Sequence, residues 1–238
     1  THFKLHEDNN YQLKEDFLDV LTKDLDMLFL CNPNNPTGQL ISKKFLLKIL
    51  QRCREQGILL FIDECFNEFL EEPAEYSIKE YLQKYNNLLI LKAFTKIYAM
   101  AGIRLGHCIT SNRELIKKLH EAGQPWSVSS PAQFAGIQAI KEREYLARAK
   151  ALIGEERDYL TEILKKLNFT VFPPNANYIF IKDSYTRERP LHEMLFEKGI
   201  LIRNCDNYHG LGPGYYRICI RKHEDNLKLV ETLHEVID

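Results

Sequence analysis

Apolar runs of strand length alternate with amphipathic helical segments through the first 122 residues, and this alternation constrains the fold most. The apolar runs are Met27–Cys31, 58–64, 88–94 and 105–110. The helical segments are Lys43–Gln56, for which Ser42 is a suitable N-cap, and Arg113–Ala122. Strands that alternate with helices indicate an α/β layered domain with a mainly parallel sheet.

The second half of the chain has a different pattern. A long charged helix is predicted at 141–167, followed by shorter strands at 169–173, 177–182, 200–204 and 215–221 and by a final helix that begins at His223. This order predicts a smaller α+β domain. We place the boundary near residue 140, which gives a large domain at 1–140 and a small C-terminal domain at 141–238.

Composition excludes several classes of protein. The 32 basic residues nearly balance the 33 acidic ones, so no overall charge indicates a nucleic acid or a membrane surface as partner. No apolar run approaches the ~20 residues that span a bilayer. The six cysteines, at 31, 53, 65, 108, 205 and 219, include no CxxC pair. Buried thiols in a reducing cytoplasm therefore fit better than disulfides or a metal site.

One segment carries a candidate covalent catalyst. The apolar run 88–91 leads to Thr95 and Lys96, and Arg104 follows in a loop of small residues. Desolvation at a strand end lowers the pKa of an amine, and a neutral amine can form a Schiff base with an aldehyde cofactor. Thr95 and Arg104 supply a hydroxyl and a guanidinium suited to a phosphate. Taken alone, Lys96 would be interpreted as a solvated surface charge, and only its combination with other motifs favours a catalytic role.

Two further polar residues follow predicted strands. Asn35 lies in the turn after Met27–Cys31, and Asp63 closes the run 58–64. Ligands of open α/β sheets bind at the carboxyl ends of the strands, which is where Asn35, Asp63 and Lys96 fall. As structural alternatives, Asp63 caps the following loop and Asn35 serves its Pro-rich turn.

These three segments, 31–38, 61–66 and 91–106, resemble in type and order the motifs of fold-type I pyridoxal-phosphate (PLP) enzymes of the class I/II aminotransferase superfamily. The resemblance extends from about Tyr11 to the C-terminus. It implies a PLP-dependent transferase-like fold, PLP as cofactor and a homodimer. It also implies that Lys96 is the catalytic Schiff-base lysine, Asp63 stabilises the protonated pyridine nitrogen and Asn35 donates to the phenolic oxygen of PLP. Thr95 and Arg104 would then bind the cofactor phosphate.

Arginines near the C-terminus are candidates for substrate binding. Arg217 and Arg221 are expected on the same side of the strand 215–221, because side chains alternate with period two. Arg217 matches the carboxylate-binding arginine of the superfamily. Arg203 and Arg221 are then the candidates for a second anion, each with a solvated strand-end charge as the alternative.

Segments 63–66, 95–99, 125–128 and 200–208 resemble the threonine-phosphate decarboxylases of cobalamin biosynthesis. This resemblance implies decarboxylation of a phosphorylated α-amino acid, with histidinol-phosphate aminotransferase as the alternative. The glycine-containing helix start and the stacking aromatic residue that such enzymes carry before this point are not found. The chain is therefore expected to be the C-terminal part of a longer enzyme, and an inactive truncated chain is a third alternative.

Overall fold

The computed structural model describes residues 1–185 and 188–237. Its strands within this part of the chain are β1 Met27–Cys31, β2 Leu59–Asp63, β3 Leu88–Ala93, β4 Gly106–Ile109, β5 Thr170–Val171, β6 Tyr178–Lys182, β7 Arg203–Asn204 and β8 Tyr215–Cys219. Its α-helices are α1 Lys43–Gln56, α2 Phe94–Ile97, α3 Arg113–Ala122, α4 Ser130–Ala139, α5 Arg143–Lys166, α6 Leu191–Glu197 and α7 His223–Ile237. Six short 3₁₀ helices complete the described elements.

The chain forms two compact units. One, the strand-end unit, comprises Leu13–Pro33 and Leu40–Ala147, and the other, the arginine unit, comprises Thr1–Gln12, Asn34–Gln39 and Arg148–Asp238. The division falls inside α5, several residues after the position expected from the sequence. The arginine unit also takes in two early segments that the sequence assigned to the large domain. The domain boundary near residue 140 itself stays a prediction.

The strand-end unit is built on a four-stranded sheet of order β1-β2-β3-β4. β1, β2 and β3 are parallel, whereas β4 pairs antiparallel with β3. Cys31 is the register partner of Asp63, and Asp63 is the partner of Leu91. The carboxyl ends of the three parallel strands therefore meet at one edge of the sheet.

Helix α1 covers one face of this sheet and forms its core. The Ser42 hydroxyl accepts a hydrogen bond from the Phe45 amide at 3.3 Å, and Gly57 ends the helix in a left-handed conformation at φ +76°. The apolar side of α1 packs on side chains of β2 and β3 in one cluster: Leu46, Ile49, Leu50, Leu60, Ile62, Leu88 and Ile90. Burial of these residues fixes the positions of the strand ends.

The arginine unit has an antiparallel sheet of order β5-β6-β8-β7. Aromatic side chains fill a core cluster of Tyr11, Phe172, Phe180 and Tyr215, with Cys205 beside them. The Phe180 and Tyr215 rings are stacked at 5.7 Å between centroids. This packing fixes β6 against β8, the strand that carries Arg217.

The turn Asn34–Gln39 belongs to the arginine unit through specific hydrogen bonds. The Tyr178 hydroxyl donates to the Asn34 carbonyl at 2.7 Å, and the Asn175 amide donates to the Gly38 carbonyl at 3.0 Å. Gly38 has φ +73°, a left-handed conformation that favours glycine. The turn is therefore anchored to residues more than 130 positions away in the chain.

Some local expectations were wrong. Only Arg203–Asn204 of the predicted strand 200–204 forms a strand, and Leu201 in the unpaired part is 82% exposed. β8 ends at Cys219, so Arg221 lies beyond the strand that it was expected to share with Arg217. No disulfide joins the six cysteines, but only Cys53 and Cys205 are buried.

Among the residues that the structure describes, no helix is long and apolar enough to cross a membrane.

Candidate active site

Asp63 is the last residue of β2 and is half-buried. Its Oδ1 accepts a hydrogen bond from the Cys65 amide at 2.9 Å, so it does cap the following loop, as the structural alternative proposed. One oxygen in that contact leaves the other carboxylate oxygen able to accept from a ligand. The Asp63 carbonyl also accepts from the Asn32 amide at 2.9 Å, which ties the end of β2 to β1.

Lys96 lies in the one-turn helix α2, directly after β3. Because β2 and β3 are parallel neighbours, Lys96 follows the strand end next to Asp63. Its ammonium is 6.0 Å from the centroid of the Phe66 ring. Lys96 is exposed, however, so the described residues do not supply the desolvation that the sequence argument expected.

Thr95 and Arg104 lie near Lys96 in the chain. Thr95 is half-buried within α2, and Arg104 is exposed. Arg104 adopts a left-handed conformation at φ +57°, and its Nη1 donates to the Ala101 carbonyl at 3.1 Å. The remaining guanidinium hydrogens can still donate to an anion. The phosphate-binding role of both residues stays a prediction.

The Cys65 thiol is influenced by both charged candidates of this unit. Burial, together with a hydrogen bond and charge repulsion from Asp63, raises the pKa of Cys65 to about 12, and Lys96 opposes the rise. Asp63 and Lys96 thus lie close enough to act on the same group. The thiol itself stays protonated at neutral pH and is a poor nucleophile.

In the arginine unit, Arg217 and Asn35 form a direct contact. The Arg217 Nη1 donates to Asn35 Oδ1, and the Tyr208 hydroxyl donates to the same oxygen at 3.4 Å. The Arg217 guanidinium also lies 5.1 Å from the centroid of the Tyr178 ring. These contacts hold the Asn35 amide in one orientation.

Arg203 lies directly opposite Arg217 on the neighbouring strand. The two residues are register partners in the β7–β8 ladder, so their side chains leave the same face of the sheet. Arg203 is exposed, stacks 5.6 Å from the centroid of the Tyr208 ring and donates to Asn207 at 3.0 Å. Like charges directly opposite each other destabilise a sheet, so the pair is suited to an anion that neutralises both.

Arg221 is engaged elsewhere. Its Nε donates to Asp225 Oδ2 at 2.9 Å, across one turn at the start of α7, and its side chain is 65% exposed. The neighbouring carboxylate raises the pKa of Arg221 through this hydrogen bond. Arg221 thus lies outside the strand that carries Arg217, and it pairs with Asp225 instead of facing Arg203.

The structure brings the predicted residues together in two groups, one in each unit. Asp63, Thr95 and Lys96 lie at the ends of β2 and β3, while Asn35, Arg203 and Arg217 lie on or against the antiparallel sheet. Sequence reasoning did not assign a role to Tyr178 or Tyr208, although both rings flank the arginines. Tyr178 contacts Arg217 on another strand and has no local signal, whereas Tyr208 lies five residues after Arg203 and within the segment 200–208.

A cavity of about 550 Å³ opens elsewhere, between the 13–16 segment and Phe45 of α1. None of the predicted site residues lines it. In addition, no cluster of potential metal ligands occurs among the described residues.

Nearly the whole chain matches one known family of protein sequences. The family model for aminotransferases of class I and II matches residues 1–233. The threonine-phosphate decarboxylase of Salmonella typhimurium is 35% identical over 236 residues, which are 99% of this chain and 64% of that protein. The histidinol-phosphate aminotransferase of Methanosarcina mazei is 34% identical over 218 residues, 92% of this chain and 56% of that protein. The chain thus spans less than two thirds of these relatives.

Solved structures confirm the predicted fold. The histidinol-phosphate aminotransferase from Clostridium acetobutylicum superposes with a TM-score of 0.89 at 32% identity, covering 96% of this chain and 69% of that one. A decarboxylase from Sulfurospirillum multivorans gives a TM-score of 0.85 at 25% identity, covering 99% and 69%. The histidinol-phosphate aminotransferase from Sinorhizobium meliloti, solved in complex with pyridoxal-5'-phosphate, gives 0.80 at 22% identity, covering 90% and 58%, and shows the fold alone.

Proposed function

This chain belongs to the aminotransferase class I and II family, and we propose that it carries the cofactor lysine and the substrate arginines of a PLP-dependent enzyme. The proposed reaction is the decarboxylation of a phosphorylated α-amino acid, as the name of its Salmonella relative states for that protein. The observation that carries the proposal is the cross-strand pair of Arg203 and Arg217.

The residues of the strand-end unit fit PLP by their chemistry. When bound, PLP supplies an aldehyde that reacts with a primary amine and a ring that withdraws electrons from an amino acid. Lys96 offers an exposed amine, and Asp63 offers a carboxylate oxygen for a protonated ring nitrogen. In decarboxylation Lys96 would supply the proton that replaces the carboxylate at the substrate Cα, whereas in transamination it would first remove the Cα proton.

The Asn35 side-chain amide is oriented by contacts to its oxygen, which leaves its NH2 group able to donate a hydrogen bond. Its Oδ1 already accepts from Arg217 and Tyr208. Among the described residues, its Nδ2 has no hydrogen-bond acceptor. These contacts support the prediction that the Asn35 amide donates to the phenolic oxygen of PLP. Many aminotransferases place a tyrosine hydroxyl at this oxygen, three residues after the aspartate, where this chain has Phe66, so Asn35 would act alone there.

The arginine pair supports a substrate with two anionic groups. O-phosphothreonine carries a carboxylate and a phosphate, and guanidinium groups bind both well. Arg217 is the proposed carboxylate ligand and Arg203 the proposed phosphate ligand, whereas the ion pair of Arg221 with Asp225 makes Arg221 the weaker candidate. Decarboxylation requires the bond from Cα to the carboxylate to stand perpendicular to the cofactor ring. The arginines that hold the anions would set this angle.

The alternative is an aminotransferase of the histidinol-phosphate type, which the close superposition with the Clostridium enzyme favours. Histidinol phosphate has a phosphate but no carboxylate, so it presents one anion to the arginine pair. Transamination would also require the Cα–H bond, instead of the carboxylate, to stand perpendicular to the ring. A chain without activity on its own is the remaining alternative.

A homodimer in the cytoplasm completes the proposal. The buried thiols of Cys53 and Cys205 fit a reducing compartment. Active sites of symmetric dimers can be completed across a two-fold interface. Light scattering of the protein in solution tests the dimer, and a single species with the mass of a monomer counts against it.

Product analysis tests the reaction. The protein with PLP is incubated with O-phosphothreonine and, separately, with histidinol phosphate, each with a 2-oxo acid that can accept an amino group, and released carbon dioxide and the keto product are measured separately. The proposal predicts carbon dioxide and an amino alcohol phosphate. A keto acid from O-phosphothreonine or a ketone from histidinol phosphate, without carbon dioxide, would establish the transaminase alternative, and no turnover of either phosphorylated substrate would support the inactive chain.

Arginine variants test the substrate class. Arg203→Gln should weaken use of O-phosphothreonine by about 10- to 150-fold, because a charge-assisted contact contributes about 1.5–3 kcal/mol. Use of an unphosphorylated amino acid should change far less. Arg221→Gln is the matched control and should have little effect. Equal losses on both substrates would instead indicate a damaged fold.

A further inference from the structure

We propose that Lys92 is a positioning residue that fixes the segment after β2, and thereby Asp63 and Phe66, relative to Lys96. The inference deepens the proposed function, on which the assignment of Asp63 and Lys96 rests. It concerns four side chains, here named the Lys92 cluster, that the proposed chemistry does not use: Glu64, Asn67, Glu68 and Lys92.

The cluster joins two strands through one ammonium. Lys92 extends from β3, and its Nζ lies 3.0 Å from a carboxylate oxygen of Glu64 and 2.7 Å from one of Glu68. It also donates to Asn67 Oδ1 at 3.2 Å. All three partners belong to the segment that follows Asp63, so a single side chain of β3 holds that whole segment.

Three of the four side chains are largely removed from solvent, whereas the Glu68 side chain is 44% exposed. Glu64 is 1% exposed, Asn67 is fully buried, and the Lys92 side chain is 15% exposed. Burial disfavours the charge on Lys92, but attraction to Glu64 and the contacts with Glu68 outweigh it and raise the pKa of Lys92. Lys92 therefore stays an ammonium ion at neutral pH and does not compete with Lys96 as an amine nucleophile.

Both candidate catalytic residues are linked to the cluster at short range. Glu64 directly follows Asp63, and its amide donates to the Leu91 carbonyl at 2.9 Å, next to Lys92. In the same segment, the Cys65 amide holds Asp63 Oδ1, and the Phe66 ring faces the Lys96 ammonium at 6.0 Å. Lys96 itself follows Lys92 by four residues across the β3–α2 junction. Displacement of the segment would therefore move Asp63 and Phe66 together.

A contribution to stability alone does not account for such a cluster. A buried ion pair roughly balances its desolvation cost, and replacement of both partners by neutral groups is often neutral or stabilising. What neutral groups cannot supply is one donor that contacts three residues of a segment. Comparison of the wild type with a variant in which both Lys92 and Glu64 are neutral therefore distinguishes a positioning role from a contribution to stability.

The test compares three variants of the protein. Lys92→Met removes the donor, Glu64→Gln with Lys92→Met removes both buried charges, and Lys92→Arg keeps the charge. Lys43→Met is the matched control, since it breaks another lysine–glutamate pair of the same unit, with Glu80 at 2.9 Å. Two quantities are measured: amide hydrogen exchange at Cys65 and Asn67, and the dissociation constant of PLP by equilibrium dialysis.

Positioning predicts that the double variant folds, yet exchanges at Cys65 and Asn67 about tenfold faster or more and binds PLP about tenfold more weakly, as expected when a buried contact is lost. Lys92→Arg should recover most of both properties, and Lys43→Met should match the wild type. A double variant with wild-type exchange and affinity overturns the proposal, and it decides the matter even when Lys92→Met alone fails to fold. Wild-type protein that binds no PLP would refute the proposed function, while the exchange rates would still test the role of Lys92.

Discussion

Replacement of Asp63 separates its two roles, because one of its oxygens serves the fold and its charge serves the cofactor. Asp63→Asn keeps an oxygen that can accept from the Cys65 amide, so the free energy of unfolding should stay near that of the wild type. Asp63→Ala loses this 2.9 Å hydrogen bond and should cost about 0.5–1.5 kcal/mol. The charge is absent in both variants. Loss of a charge-assisted hydrogen bond should weaken the binding free energy of PLP by about 1.5–3 kcal/mol. This corresponds to about a 10- to 150-fold rise in the dissociation constant of PLP.

The assay pairs denaturant unfolding with equilibrium dialysis of PLP. We expect equal losses of PLP affinity in the two variants but a loss of stability in Asp63→Ala alone. Asp63→Asn should also lower the pKa of Cys65, since repulsion from the carboxylate disappears, and so speed alkylation of that thiol. Wild-type affinity for PLP in Asp63→Asn would refute the assignment of Asp63 to the ring nitrogen.

Two further predictions concern stability. Asn32 is fully buried and donates to the carbonyls of Ile41 and Tyr76, so Asn32→Ala should lower the free energy of unfolding by about 2–4 kcal/mol, whereas Gln133→Ala, with one exposed bond, should change it little. The Lys182 ammonium and the Tyr215 hydroxyl hold the pKa of Glu7 below its usual 4.5, so Glu7 stabilises the fold above about pH 4.5 and loses this effect as the pH falls through its lowered pKa. Thermal unfolding between pH 3 and pH 7 should show a flatter acid limb for Glu7→Gln, and identical profiles would contradict this coupling.

The sequence correctly predicted the helices and strands whose bounds depend on neighbouring residues, such as helix caps. α1 and α3 begin and end where the sequence indicated, because Ser42 and Asn112 cap their first turns and accept hydrogen bonds from Phe45 and Leu115. The parallel strands were also predicted correctly, since they are buried apolar runs bounded by polar residues.

The errors have physical reasons as well. α4 was not predicted because its apolar residues do not form one stripe: Phe134 is 68% exposed and Ile137 is 55% exposed, while Ala132 and Ala139 are buried. Residues 200–202 look like a strand, yet lie outside the ladder that β7 forms with β8. A strand depends on a partner, and apolar composition alone does not supply one.

The residues of the candidate site also fall into those that local motifs predict and those that depend on contacts between distant segments. Asn35, Asp63, Lys96 and Arg217 could be selected from motifs within short segments. The Arg203–Arg217 pairing depends on the register of an antiparallel ladder, and the Lys92 cluster depends on contacts between β3 and the segment after β2. Neither can be read from spacing along the chain, because each joins segments separated by 14 or more residues.

Borohydride reduction followed by peptide mass mapping identifies the lysine that binds PLP. The protein is incubated with PLP, reduced and digested, and every lysine-containing peptide is searched for a pyridoxyl group. We expect one major adduct, on Lys96, and its loss in Lys96→Ala with the fold intact by circular dichroism. An adduct on Lys92 or spread over surface lysines, with Lys96 unmodified, would refute the assignment of Lys96 as the Schiff-base lysine.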